Sequence, residues 1–315
     1  MKKLYLLGHP VSHSLSPIMQ NEMLKSLGLE GEWDYEAHDV SAEDLPAKLK
    51  QLEEDKDVIG CNVTVPHKMA VYEWLGRGRI QKLDALNACA VNTLYREGDH
   101  FLGDSTDFRG ALMALKSEGF GLNQPDAELD LRQWDIAVIG TGGSAQTIVA
   151  GLASLDCVKR VMIFGRSMAK ASAISNTVQV LSSRVSNAGE QAYCAEIGFR
   201  ALDTFAAWNV GRKSIVIQTT TVGMATGENP GQSPVPSGSV KSGQIAFDLV
   251  YKPHNTRFLL EAKAHGATLV HGINMLVGQG ALSLQQWIEA SAEPSVRERF
   301  DLFETMATMR TALGV

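Results

Sequence analysis

No run of about 18 apolar residues occurs in this 315-residue chain, so no membrane-spanning helix is expected. The start, Met1-Lys2-Lys3-Leu4-Tyr5-Leu6-Leu7-Gly8, has an apolar stretch too short for a secretory signal core. Cysteine is scarce. Cys61, Cys89, Cys157 and Cys194 lie scattered without CxxC spacing, which excludes a zinc ribbon or disulfide scaffold and fits a reducing cytoplasm. Basic charge is short as well: 29 Lys and Arg face 35 Asp and Glu, for a net charge of −6. No basic block could track a phosphate backbone, so nucleic acid is not expected as a partner. Metal-ligand patterns are also missing. His9 and His13 stand four apart, but Pro10 and the nearby serines read as loop, and no HExxH-like motif occurs.

What remains is a globular composition, 44% hydrophobic and 20% charged. The length exceeds what one core usually organises and points to two domains. Leu4 to Leu7, Trp33 to Val40, Val58 to Val65 and Val91 to Tyr95 read as strands. Amphipathic helices at Ser16 to Leu27 and Ala42 to Glu53 lie between them. Glu97-Gly98-Asp99-His100 reads as a hairpin turn into Phe101-Leu102, adding an antiparallel edge. Gly119 to Gln133, with Pro125 and Asp126, reads as loop. Strands then follow at Asp135 to Ile139, Arg160 to Phe164, Ser214 to Gln218, Ile245 to Val250 and Thr268 to Val270, a doubly wound series. Gly227 to Gly243, with three prolines, reads as a surface excursion, and Asn274 to Leu313 as helices interrupted near Pro294. The class is therefore α/β, with a mostly parallel sheet followed by a Rossmann-like one.

The strand ending at Ile139 runs into Gly140-Thr141-Gly142-Gly143-Ser144-Ala145. Glycines there permit a tight turn and let backbone N–H groups approach a pyrophosphate at a helix N-terminus, although such turns also arise for structural reasons alone. After the next strand, where NAD-binding folds place a carboxylate, stand Phe164-Gly165-Arg166-Ser167 and then Lys170. Two cations and a hydroxyl suit a 2′-phosphate and predict NADP; the plainer reading is a solvated helix start.

Three earlier segments hold polar residues that propensity does not explain. Ser14-Leu15-Ser16-Pro17 follows the first strand: Ser16 reads as an N-cap with Pro17 at the first helical position, while Ser14 suits a carboxylate site. In Asn62-Val63-Thr64-Val65-Pro66-His67-Lys68, Asn62 and Thr64 share one strand face and Lys68 projects near them, unless it is merely solvated. Asp107, in Gly103-Asp104-Ser105-Thr106-Asp107, fits a helix N-cap as well as an acid/base role.

These segments, with Ala90-Val91-Asn92-Thr93, Asp248-Leu249-Val250-Tyr251-Lys252-Pro253, Thr256, Met275-Leu276 and Gln279, resemble the shikimate dehydrogenase family, including its shikimate/quinate dehydrogenase-like members. The resemblance implies a substrate-binding catalytic domain from residues 1–106 and 272–315, a Rossmann domain from 107–271, and a substrate cleft facing the nicotinamide. It implies Ser14 and Ser16 at the substrate carboxylate, Asn62, Thr64, Asn92, Asp107 and Gln279 at the ring hydroxyls, and Lys68 with Asp107 as the catalytic pair. Tyr251 would lie near substrate and nicotinamide. Gly140, Thr141, Gly142, Gly143, Ser144, Arg166, Ser167, Lys170, Thr220, Gly223 and Met224 would hold NADP.

The sequence departs from the family's usual wording in three places. Ser105 stands for Asn, Gly165-Arg166-Ser167 for Asn-Arg-Thr, and Gln218-Thr219-Thr220-Thr221 for Asn-Ala-Thr-Pro. The expected activity is reversible, NADP-dependent reduction of 3-dehydroshikimate in the cytoplasm by a monomer or homodimer. The alternatives are a quinate-preferring, NAD-using relative and a non-catalytic ligand-responsive regulator.

Overall fold

The computed structural model describes residues 1–123, 127–186, 195–227 and 229–315. Pro125 and Asp126 of the expected loop, and Cys194, lie outside them. The chain forms two compact units, Met1–Gly110 with Leu276–Val315, and Ala111–Met275.

The first unit begins β1 (Lys2–Gly8), α1 (Ser16–Ser26), β2 (Trp33–Asp39), α2 (Leu45–Glu54) and β3 (Val58–Val63). It continues α3 (Lys68–Leu75), α4 (Leu83–Ala88), β4 (Thr93–Glu97), β5 (His100–Asp104) and α5 (Asp107–Ala114), which runs into the second unit. Its sheet has the order β2-β1-β3-β4-β5. The first three strands are parallel, and β4 and β5 run antiparallel through the Gly98 hairpin, with Glu97 opposite His100. Every residue of β3 is buried, as expected for a strand covered on both faces.

In the second unit come β6 (Asp135–Ile139), α6 (Gly143–Ala153), β7 (Arg160–Gly165), α7 (Met168–Ser186), β8 (Glu196–Ala201) and α8 (Phe205–Asn209). Then follow β9 (Ser214–Gln218), β10 (Ile245–Asp248), α9 (Arg257–Ala264) and β11 (Thr268–His271). The strand order β11-β10-β9-β6-β7-β8 is parallel throughout and reverses between β6 and β9, where doubly wound sheets bind their ligands. The chain closes with α10 (Gly272–Ser291), α11 (Pro294–Arg299) and α12 (Leu302–Leu313). Pro294 sits in the first turn of α11, where its missing N–H costs nothing.

Two details seat α10 on the first sheet. A Cβ at Gly60 would collide with the Trp287 indole, and that indole Nε1 donates to the Leu94 carbonyl at 2.8 Å. Gly280 likewise leaves room for Met19 of α1.

The structure corrects several expectations, among them the strand expected over Ile245 to Val250, which ends at Asp248. β3 stops at Val63 rather than Val65, so Thr64 lies beyond the strand, although its N–H still donates to Leu7 O at 2.8 Å. Pro66 has no N–H to extend the ladder. β4 starts at Thr93 rather than Val91. Ser16 is the first residue of α1 rather than its cap; the hydroxyl at this helix start is Ser14 Oγ, which accepts the Ser16 N–H at 3.2 Å. β8 was not anticipated.

Candidate active site

The first unit gathers its polar residues at the carboxyl ends of β1 and β3 and the turn into α5. Lys68 is the first residue of α3, a helix end where the backbone dipole disfavours a cation. A carboxylate offsets that placement: Lys68 Nζ lies 2.5 Å from Asp107 Oδ2, and their side chains are only 13% and 5% exposed. Asp107 is thus the first residue of α5 and half of a buried ion pair, more than a cap.

Asn92 organises this pair. Its Oδ1 accepts the Thr106 N–H at 2.8 Å, which turns Nδ2 toward Asp107 Oδ1 at 2.9 Å and Gln279 Oε1 at 3.2 Å. Asn62 is held differently. Tyr35 donates its phenol to Asn62 Oδ1 at 2.9 Å, while Asn62 Nδ2 donates to Ser283 Oγ at 2.9 Å and Asn92 O at 3.2 Å. Both ends of that amide are spent on the protein, which makes Asn62 a frame for its neighbours. Tyr35 also hydrogen-bonds Ser16, and burial pushes its phenol well above the usual range. Ser14, Ser16, Thr64, Lys68, Asn92, Asp107 and Gln279 all belong to this unit. Gly8 sets the Thr64 side chain, because a Cβ there would overlap the Thr64 methyl.

The second unit carries the nucleotide-type features at its topological switch. Gly140 has φ +125°, and a Cβ there would collide with the Thr219 side chain, so only glycine suits this turn. Gly142 caps α6, whose first turn has N–H groups without intrahelical acceptors. A Cβ at Gly142 or Gly143 would meet nothing within 4 Å, so open space lies beside those N–H groups. That cradle fits a pyrophosphate. Arg166 and Lys170, at the end of β7 and the start of α7, are both exposed, and Ser167 Oγ accepts the Lys170 N–H at 3.4 Å.

Gln218 is the organiser that its residue type did not reveal. Fully buried, it accepts the Thr220 N–H at 2.6 Å and donates to the Thr220 and Val222 carbonyls, knitting the turn that leads to Gly223 and Met224. Gly223, at φ +87°, donates its N–H to Asn229 O. Tyr251 follows Asp248, a buried carboxyl that accepts from Thr256 Oγ1 at 2.5 Å and from the Val250 N–H at 2.9 Å, fixing the loop. Burial pushes Asp248 up to about 7 against these two hydrogen bonds. Among the described residues no group of three His, Cys, Asp or Glu is placed to hold a metal ion, and no helix is long and apolar enough to cross a membrane.

Residues 6–94 match the family model for the shikimate dehydrogenase substrate binding domain. An NADP(+)-type shikimate dehydrogenase of Bacillus mycoides is 35% identical over 288 residues, covering 91% of this chain and 93% of the relative. One from Exiguobacterium is 32% identical over 298 residues, covering 94% and 96%. The shikimate dehydrogenase of Thermus thermophilus, solved with NADP(H) and shikimate, superposes with a TM-score of 0.72 at 31% identity, covering 99% of this chain and all of that one. With matches spanning both units, the chain belongs to the shikimate dehydrogenase family.

Proposed function

We propose that this protein is an NADP-dependent shikimate dehydrogenase that reversibly reduces 3-dehydroshikimate to shikimate. The observation that carries the reading is the buried Lys68–Asp107 pair, oriented by Asn92, which also bonds Gln279. NADPH, when bound, supplies the hydride that reaches the substrate carbonyl carbon. Lys68 Nζ polarises the carbonyl oxygen and gives it a proton as negative charge builds there. Asp107 orients the ammonium and accepts from the neighbouring ring hydroxyl. In the oxidative direction Lys68 takes the hydroxyl proton back.

Ser14 and Ser16 at the start of α1 hold the substrate carboxylate, and Thr64, Asn92 and Gln279 read the ring hydroxyls, with Asn62 as their support. In the second unit, Thr141 to Ser144 cradle the pyrophosphate, and Arg166, Ser167 and Lys170 take the 2′-phosphate. Thr220, Gly223, Met224 and Tyr251 line the nicotinamide end. A monomer or a homodimer is the expected form. The free thiols of Cys61, Cys89 and Cys157 suit the reducing cytoplasm.

The test is a four-way rate comparison of purified protein with shikimate or quinate and NADP or NAD. Shikimate with NADP is expected to give the highest kcat/KM. Preference for quinate or NAD would move the protein to the quinate-type branch, and no turnover in any combination would leave a ligand-responsive regulator.

A further inference from the structure

Behind the Lys68–Asp107 pair lies a buried run of hydroxyls and amides that touches no reacting atom. Its centre is Ser283, fully buried one turn beyond Gln279 on α10. Ser283 Oγ lies 2.9 Å from Asn62 Nδ2, 2.8 Å from Thr93 Oγ1 and 2.9 Å from the Gln279 carbonyl. Thr93 Oγ1 is in turn 2.8 Å from Asn92 Oδ1.

A hydroxyl owns one proton, so these contacts constrain one another. The Thr106 N–H is a fixed donor and pins Asn92 with Oδ1 toward Thr93 and Nδ2 toward Asp107. The Asn92 carbonyl is a fixed acceptor and pins Asn62 with Nδ2 toward Ser283. Thr106 Oγ1 accepts from Asn92 Nδ2 at 2.9 Å and donates to the Gln279 carbonyl at 3.0 Å. The Thr93 proton goes to Asn92 Oδ1, and the Ser283 proton is shared between the Gln279 carbonyl and Thr93 Oγ1. With this assignment each of the three hydroxyls accepts on one side and donates on the other.

We propose that Ser283 and Thr93 are positioning residues for Asp107, the middle links of a one-way hydrogen-bond relay from Tyr35 through Asn62, Ser283, Thr93 and Asn92. The relay ends as an N–H donor on Asp107 Oδ1, leaving Oδ2 to Lys68. Reversing the Asn92 or the Asn62 amide sets it against the fixed Thr106 N–H or the fixed Asn92 carbonyl, and aligned bonds polarise one another. The relay therefore holds the Asp107 carboxylate in one orientation. This inference rests on the proposed proton-transfer role of Lys68 and Asp107.

The experiment compares wild type with Ser283→Ala, Thr93→Val, Thr93→Ser and the double variant Ser283→Ala/Thr93→Val, using shikimate and NADP. Ser283→Ala and Thr93→Val are each expected to lower kcat about 5- to 20-fold while KM for shikimate stays within about twofold. Thr93→Ser keeps the hydroxyl and restores kcat to within about twofold of wild type. Because one break opens the whole relay, the double variant loses no more than the worse single one. Unchanged kcat in Ser283→Ala and Thr93→Val, equal losses in Thr93→Ser, or losses that multiply would overturn the relay.

A second readout does not depend on turnover. The Asn92 side-chain amide resonance, assigned by its disappearance in Asn92→Asp, is expected to move in Ser283→Ala and Thr93→Val and to stay in place in Thr93→Ser. An unmoved resonance refutes the relay even if wild type fails to oxidise shikimate, a failure that by itself counts only against the proposed function.

Discussion

Thr141 and Gly165 share one small space at the switch point of the second sheet: a Cβ built on Gly165 would stand 2.6 Å from the Thr141 methyl. The glycine-rich turn carries a larger residue than it needs, and the end of β7 carries a smaller one. Gly165→Ala is therefore expected to push the Thr141 loop and raise KM for NADP about tenfold, with KM for shikimate unchanged. Thr141→Ala/Gly165→Ala vacates the space and is expected to recover most of that loss. If the double variant binds NADP no better than Gly165→Ala, the two positions are not coupled.

The buried ion pair sets the next expectation. Lys68→Met keeps the length of the side chain but removes the proton donor and the charge that polarises the carbonyl. A fall in kcat of about 10²- to 10⁴-fold is expected, with shikimate still binding by calorimetry. Persistent turnover would strip Lys68 of its role.

Cofactor choice turns on Arg166 and Lys170. Arg166→Ala removes a charge-assisted contact to the 2′-phosphate and is expected to raise KM for NADP about 10- to 100-fold while leaving KM for NAD unchanged. Equal losses with both cofactors would assign Arg166 to the fold of the α7 start instead.

Asp248 ties stability to pH. Its carboxyl titrates near 3.8 when exposed, and burial raises it to about 7 in the fold. Below pH of about 4 both states are protonated and the folded form loses nothing. As pH rises toward 7 the unfolded chain releases its proton first, so Asp248 destabilises the fold increasingly through that window. Asp248→Asn removes the titration, so its gain in Tm over wild type is expected to be larger at pH 8 than at pH 5. A gap independent of pH would contradict the raised value.

Legibility followed burial and range. β3 and β6 stand out because nearly every side chain is apolar and buried, as central parallel strands require. β8 escapes because it is a sheet edge with only Ile197 buried among Glu196, Phe199 and Arg200, and no alternation marks it. Lys68 and Asp107 carry a local signal, because each stands in a short polar motif that follows a buried strand. Ser283 and Tyr35 carry none. Their partner Asn62 lies 221 and 27 residues away, and nothing in a serine on an apolar helix tells of an acceptor across the sheet. The direction of the Asn62 and Asn92 amides was equally unreadable, because backbone groups brought in by the fold decide it.

The α10 helix also dictates an order of assembly. Trp287 reaches the Leu94 carbonyl across 193 residues of chain, whereas residues 111–275 form a unit contiguous in sequence. During synthesis the inserted unit is complete before its host, and the β3–β4 surface at Gly60 waits uncovered until the last helices emerge. Closing so long a loop comes late and slowly, so refolding is expected to be limited by the docking of α10, and the waiting sheet is the part most open to chaperones and aggregation.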